Sequence, residues 1–177
     1  MGGNRQAPIA GMAAGIALLG CAVWYVPDSP RRSPAALPVH EDLQIAGLGC
    51  GPAALTVVAS ACDANAATVL RDILQHHRAA TSPVSSFYNL AAWAKQVGLA
   101  PIGVKVEVPA LSQLALPAIV HVTPDHFLVL AAVNKDRVVV TEQGAATREI
   151  PRREFDRRFS GYMLCLRLGR AELGQSL

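Results

Sequence analysis

Four side chains in this sequence have the types that covalent chemistry at a carbonyl carbon requires: a thiol, an imidazole, a carboxylate and an amide. The thiol is that of Cys50, which precedes Gly51-Pro52 at the start of an apolar run typical of a helix. Unpaired N–H groups and the positive end of the helix dipole favour a thiolate there. Cys50 is therefore a candidate nucleophile, and a buried cysteine acting as a small apolar residue is the alternative interpretation. Gln44, six residues upstream, can direct its amide donors at an oxyanion beside the thiol.

The imidazole best placed to act as a base is that of His126. It follows a turn and begins an apolar strand pattern, so we expect it at a reachable edge of a sheet. If Val133 pairs with Arg137 in the hairpin that follows, Glu142 becomes a diagonal neighbour of His126, about 7–8 Å away at the backbone. A glutamate at that distance can reach the ring and fix its tautomer. A register shift of one residue would instead turn Glu142 to the other face.

We expect the remaining cysteines and histidines of the domain to have structural roles. Cys62 and Cys165 lie on apolar segments and are expected in the core, with a disulfide between them left open. His76-His77 complements the dipole at a helix end, and His121 fits a partly buried strand position. The sequence contains no CxxC pair and no HExxH motif, so it predicts no metal site and no cofactor.

The elements that must position these residues change character along the chain. Helical patterns fill the first half: one begins at Gly51-Pro52, a second covers 67–78, and a third is capped by Ser85 or Ser86 and ends at Gly98. Strand patterns fill the second half, at 102–108, 118–122, 127–133, 137–141 and 162–167. Helices followed by consecutive strands with tight turns predict an α+β fold, with the N-terminal helices packed on an antiparallel sheet.

Composition bounds the function. Of 177 residues, 51% are apolar and 16% charged, which excludes a disordered chain. The net charge is only +3, and acidic residues interrupt the basic stretch 148–158, so no nucleic-acid partner is expected. The length suits one domain, which we place at 41–170 and which a tail at 171–177 follows.

The first 26 residues form a membrane anchor or signal segment by composition. Residues 8–26 carry no charge and would span about 28 Å as a helix, close to the thickness of a bilayer core. An uncleaved anchor, a lipoprotein signal at Cys21 and a cleaved secretory signal all fit, and the length favours the anchor. A proline-rich linker follows at 27–40. The flanking charges weakly favour a domain outside a bacterial inner membrane, with the cytoplasmic side left open.

The site residues also carry a resemblance. Three stretches carry the resemblance: Gln44 ahead of Cys50-Gly51-Pro52, then 116–121 (LPAIVH), and then 126–130 (HFLVL). The sequence resembles the double-glycine leader peptidases, the papain-like cysteine peptidase domains of bacteriocin-processing ABC exporters. The resemblance covers about residues 41–168. It implies a papain-like peptidase fold for the whole domain.

The resemblance also implies a role for each candidate. Cys50 becomes the nucleophile, His126 the general base and acid, and Gln44 the oxyanion donor. The family's third residue is usually an aspartate followed by proline, and this chain has Glu142 followed by Gln143. The family usually has an acidic residue before its cysteine, where this chain has Gly49.

Two classes of function follow from these assignments. The first is a cysteine endopeptidase that cleaves a peptide or protein substrate, after a Gly-Gly pair if the family's preference holds. The second is a catalytically degenerate domain that grips a leader or partner peptide. Another acyl transfer on the same scaffold is a third, weaker alternative. The expected partners are the peptide, the membrane through the N-terminal helix, and a separate ABC exporter or other membrane complex.

Overall fold

The computed structural model describes residues 48–80, 85–142 and 146–168. The expected anchor at 1–26, the linker at 27–40 and Gln44 lie outside the described residues. Within the described ranges, no helix is long and apolar enough to cross a membrane.

The described part of the chain contains four α-helices, one 3-10 helix and six strands. The helices are α1 (Cys50–Cys62), α2 (Ala64–Ala80), α3 (Phe87–Gln96) and α4 (Arg152–Arg158), with the 3-10 helix at Val108–Gln113. The strands are β1 (Leu99–Lys105), β2 (Ala118–Val122), β3 (His126–Val133), β4 (Arg137–Thr141), β5 (Arg148–Pro151) and β6 (Phe159–Leu168).

The first two helices are separated by a single residue. Helix α1 is buried from Gly51 to Ala59, because its own side chains are small or apolar on every face of the helix. Asp63 ends α1 and starts α2, since its Oδ1 accepts from the backbone N–H groups of Asn65 at 2.7 Å and Ala66 at 3.1 Å. This cap makes α2 begin three residues before the predicted start at residue 67.

Helix α3 has the predicted ends. The Ser86 hydroxyl accepts from the Asn89 N–H at 3.2 Å, and Gly98, just after the helix, has a φ of 78°. The prediction of a strand over 102–108 was wrong at both ends, because β1 begins directly after Gly98 and ends at Lys105. Pro109 instead lies in the first turn of the 3-10 helix, where its missing N–H leaves no bond unmade.

The strands form one antiparallel sheet in the order β1-β6-β2-β3-β4-β5. The prediction of an α+β fold with an antiparallel sheet is therefore confirmed. Strand β5 and helix α4 were not predicted, because each is short and rich in charged residues and shows no apolar period.

Apolar side chains fill both faces of the sheet. Helices α1 to α3 cover one face, where Phe127 and Leu164 join the larger cluster. The 3-10 helix and α4 contribute Leu111 and Phe155 to the cluster on the other face. Two packed faces hold the sheet rigid, and the ends of its central strands provide a fixed platform.

Cys62 and Cys165 are free thiols that pack against opposite clusters. The structure therefore contains no bond between them, and the prediction that they are core residues holds in part, since both are half-buried. Burial raises the pKa of the Cys62 thiol above its ordinary value, and nearby Asp63 raises it further. Burial also raises the pKa of Cys165, with a smaller opposing effect from Arg167.

Candidate active site

Cys50 is the first residue of α1 and is partly exposed. Gly49 caps the helix with extended backbone angles, φ −62° and ψ 163°, and its carbonyl accepts from the Ala53 N–H at 3.0 Å. Gly49 has no side chain with which to cap this end, and the first N–H groups of a helix have no partner within the helix itself. These N–H groups and the helix dipole favour negative charge at this place.

Gly51 lets the start of α1 approach two other segments closely. A Cβ at this position would lie 2.7 Å from Ser85 Cβ and 3.3 Å from Phe127 Cδ2. Only a residue without a side chain fits there unless Ser85 moves. Gly51 directly follows Cys50, and Phe127 directly follows His126. The contact between Gly51 and Phe127 therefore brings the start of α1 and the start of β3 close together.

The His126 ring is held by Glu142. Its Nε2 lies 2.7 Å from Glu142 Oε1, and Glu142 follows the last residue of β4. An ionised carboxylate only accepts hydrogen bonds, so the ring nitrogen is the donor. A neutral imidazole that donates from Nε2 carries its lone pair on Nδ1, the form that can take a proton from a thiol.

The hairpin register that predicted this contact is correct near the site. Val129 pairs with Thr141 and Leu130 with Val140, which puts Glu142 opposite Leu128 as expected. Towards the turn the register shifts by one residue, so Val133 pairs with Val138 and the predicted Val133–Arg137 pair is wrong. An irregularity between Leu130 and Ala132 absorbs the difference and leaves the site end of the hairpin unchanged.

Aromatic contacts fix the strand position next to His126. The Phe127 ring meets Phe87 of α3 edge to face at 5.1 Å and the His121 ring at 5.3 Å, measured between ring centroids. His121 is partly buried, as predicted, and its Nε2 lies 3.4 Å from Asp125 Oδ1. Phe127 therefore contacts the Phe87 and His121 rings and also lies close to Gly51.

The structure brings two of the predicted site residues into direct contact. His126 and Glu142 are hydrogen-bonded to each other. Cys50 precedes Gly51, which lies close to Phe127, the residue after His126. Gln44 lies outside the described residues.

Sequence reasoning missed two further residues. One is Ser85, which packs on Gly51, and the other is Arg148, whose Nη2 donates to Glu142 Oε2 at 2.9 Å. The only sequence signal for Arg148 was its place in the mixed-charge stretch 148–158, which says nothing about pairing. In the described ranges no group of three or more potential metal ligands occurs.

Sequence comparison places this arrangement in a family. Residues 42–169 match the Peptidase C39 family, well over half of the chain. Over 71 residues the chain is 35% identical to the colicin V secretion/processing ATP-binding protein CvaB of Escherichia coli, covering 40% of this chain and 10% of that protein. It is 32% identical, with the same coverage, to the probable microcin-H47 secretion/processing ATP-binding protein MchF of Escherichia coli. The matched stretch thus spans about a tenth of the length of these relatives.

Solved structures agree with the sequence match. The fold is similar to a double glycine motif protease from an AMS/PCAT transporter, solved with the leader peptide, at a TM-score of 0.58 and 25% identity over 71% of this chain and 88% of that one. The peptidase domain of Streptococcus ComA, a bi-functional ABC transporter involved in a quorum sensing pathway, shares the fold at a TM-score of 0.54 and 18% identity, over 68% and 92% of the two chains. With a family match over residues 42–169 and this fold, the chain belongs to the Peptidase C39 family of cysteine peptidases.

Proposed function

We propose that this protein is a cysteine endopeptidase in which Cys50 is the nucleophile and His126 the general base and acid. The observation that carries the proposal is the 2.7 Å bond from His126 to Glu142, at the place where β3 meets the start of α1. A thiol at a helix N-terminus, an imidazole and a carboxylate that orients the imidazole are the three parts that thiol catalysis needs.

The reaction follows from these parts. The Cys50 thiol gives its proton to His126 Nδ1, and the sulfur attacks the carbonyl carbon of a peptide bond. N–H groups at the start of α1 and the amide of Gln44 stabilise the oxyanion that forms. His126 then returns the proton to the departing amine, which leaves a thioester on Cys50. Water, activated by the same ring, hydrolyses the thioester and restores the thiol.

The proposed substrate is a peptide with a leader segment that ends in a Gly-Gly pair. The similarity to a double glycine motif protease solved with the leader peptide supports this choice, because that likeness covers 88% of the solved chain at 25% identity. A separate ABC exporter or other membrane complex would take up the released product.

The test measures cleavage of a synthetic Gly-Gly leader peptide by the full chain and its variants. Cys50→Ala and His126→Ala should abolish turnover, with melting temperatures close to that of the parent. Cys62→Ala is the matched control, since it removes a half-buried thiol that lies outside the site, and it should cleave normally. Retained cleavage by Cys50→Ala would refute the assignment, and peptide binding without any product would favour the degenerate alternative.

We also infer that the domain works at a bacterial inner membrane, held there by residues 8–26 and the linker 27–40. Support comes from the 19 uncharged residues of that stretch and from the proline-rich segment after it. The proposed side is the outer one. Intact cells that express Ser33→Cys should react with an impermeant thiol reagent, with the parent chain as the background control. Labelling only after lysis would place the domain in the cytoplasm, and recovery of the full chain in the soluble fraction would exclude the anchor.

A further inference from the structure

The geometry points to Arg148 as a positioning residue for the catalytic imidazole, acting through Glu142. This inference rests on the proposed function of His126. The observed contacts form a chain: Arg148 Nη2 donates to Glu142 Oε2 at 2.9 Å, and Glu142 Oε1 accepts from His126 Nε2 at 2.7 Å. Each oxygen of the carboxylate thus has its own donor, and the two donors hold it from opposite sides.

The sheet explains why these three residues meet. Strand β4 lies between β3 and β5, and Glu142 follows its last residue. On one side, Val129 pairs with Thr141, so His126 lies diagonally across from Glu142. On the other side, Val140 pairs with Arg148, so Arg148 occupies a matching diagonal position. Diagonal neighbours in a sheet lie about 7–8 Å apart at the backbone, a distance that long side chains bridge.

A glutamate in this position needs a second contact to stay in place. Its side chain is 38% exposed and has three rotatable torsions, so water competes for the carboxylate and several rotamers are open to it. If the imidazole were its only partner, Glu142 Oε2 would be hydrated, and the side chain could rotate away from His126 towards solvent. The Arg148 guanidinium removes that freedom by a charge-assisted bond to the second oxygen.

Arg148 acts on turnover rather than on substrate binding. Without it, Glu142 spends less time on Nε2, and the imidazole more often carries its proton on Nδ1, the tautomer that cannot accept a proton from the thiol. The fraction of competent enzyme falls and kcat falls with it, while KM stays unchanged. Because the pair is exposed, we expect a loss of about three- to fivefold in kcat for Arg148→Gln.

The chain offers a matched control in Arg137. This residue lies on the same pair of strands and forms an ion pair with Glu149 at 3.6 Å, with both side chains more than half exposed. Arg137→Gln therefore removes the same charge from the same hairpin without touching Glu142. Arg148→Lys is the conservative variant, since one N–H donor is all that the observed bond uses.

Two readouts test the inference on the full chain. Kinetics on a Gly-Gly leader peptide should give a lower kcat and the parent KM for Arg148→Gln, most of the parent kcat for Arg148→Lys, and parent values for Arg137→Gln. Nitrogen-15 chemical shifts of the His126 ring, read in the Cys50→Ala background, should move towards the Nδ1–H tautomer only for Arg148→Gln. Melting temperatures show whether each variant is folded.

The outcomes separate the two proposals. If Arg148→Gln leaves the His126 tautomer unchanged, or if Arg137→Gln lowers kcat as much, Arg148 is not a positioning residue. The tautomer readout does not depend on turnover, so it decides the role of Arg148 even if the parent chain cleaves nothing. Cleavage that survives Cys50→Ala would instead refute the proposed function and leave the tautomer result standing.

Discussion

Replacing Gly51 by alanine should damage turnover much more than stability. The new Cβ would lie 2.7 Å from Ser85 Cβ, 3.0 Å from Ser85 Oγ and 3.3 Å from Phe127 Cδ2. Ordinary carbon contacts need about 3.5–4.0 Å, so the start of α1 must move by about 1 Å from the loop before α3. Cys50 is the neighbouring residue on that turn and would move with it.

The magnitudes separate the two effects. Overpacking costs about 1–3 kcal/mol, and alanine regains about 1 kcal/mol over glycine through helix propensity, so the net loss of stability is roughly 0–2 kcal/mol. A misplacement of about 1 Å at reacting groups can lower a rate by about 10²-fold. We therefore expect Gly51→Ala to remain folded and to lose about two orders of magnitude in kcat.

A second substitution makes this reasoning refutable. Ser85→Gly removes both atoms that the new methyl group meets most closely, so the double variant Gly51→Ala/Ser85→Gly should regain most of the lost kcat. Gly103→Ala is the matched control, because nothing lies within 4 Å of a Cβ at that position. The assay is peptide cleavage beside thermal denaturation. Parent activity in Gly51→Ala, or no recovery in the double variant, would show that this contact does not set the position of the thiol.

Three further predictions concern residues around the site and in the core. Glu142→Asp should lower kcat by about 10- to 100-fold in the peptide assay, because the shorter carboxylate no longer reaches His126. Arg152→Ala should lower the free energy of unfolding by about 1–3 kcal/mol in urea titrations, since its mostly buried guanidinium makes three hydrogen bonds. Burial raises the pKa values of Cys62 and Cys165 above the ordinary 9.0, so above pH 9 these thiols ionise more readily in the unfolded chain than in the folded one. Unfolding titrations should therefore show stability lost above pH 9, and less loss once both residues are alanine.

Local signals explain why much of the fold was predictable. The hydroxyl of Ser86 and the positive φ of Gly98 fix the ends of α3, and both act within a few residues of chain. The apolar strands β2 and β4 have the bounds that their patterns predicted. The contact between Glu142 and His126 was predicted from a hairpin register that is correct at the site end and wrong at the turn. It therefore also depends on the irregularity between Leu130 and Ala132, which no sequence pattern predicted.

Packing between distant segments explains what the sequence did not predict. Gly51 meets Ser85 and Phe127 only after α1, α3 and β3 have assembled, and no local pattern records that meeting. Arg148 reaches the site because β5 pairs with β4, yet β5 has four residues, two of them charged, and shows no strand alternation. The mixed charge of this stretch argued only against a nucleic-acid partner, whereas the pairing of β5 with β4 brings Arg148 to Glu142.

The distance between the end of β4 and the His126 ring explains why a glutamate rather than an aspartate contacts the ring from position 142. The resemblance to double-glycine leader peptidases implies an aspartate at this position, whose carboxylate would lie about one carbon–carbon bond, about 1.5 Å, nearer the backbone. The observed bond to His126 is 2.7 Å, so on this backbone an aspartate would stop about 4 Å from the ring, outside hydrogen-bond distance. The longer side chain restores the contact at the cost of one more torsion, and Arg148 on the neighbouring strand restrains that torsion. The proposed roles of Glu142 and Arg148 therefore depend on each other, since one carboxylate contacts both the His126 ring and the Arg148 guanidinium.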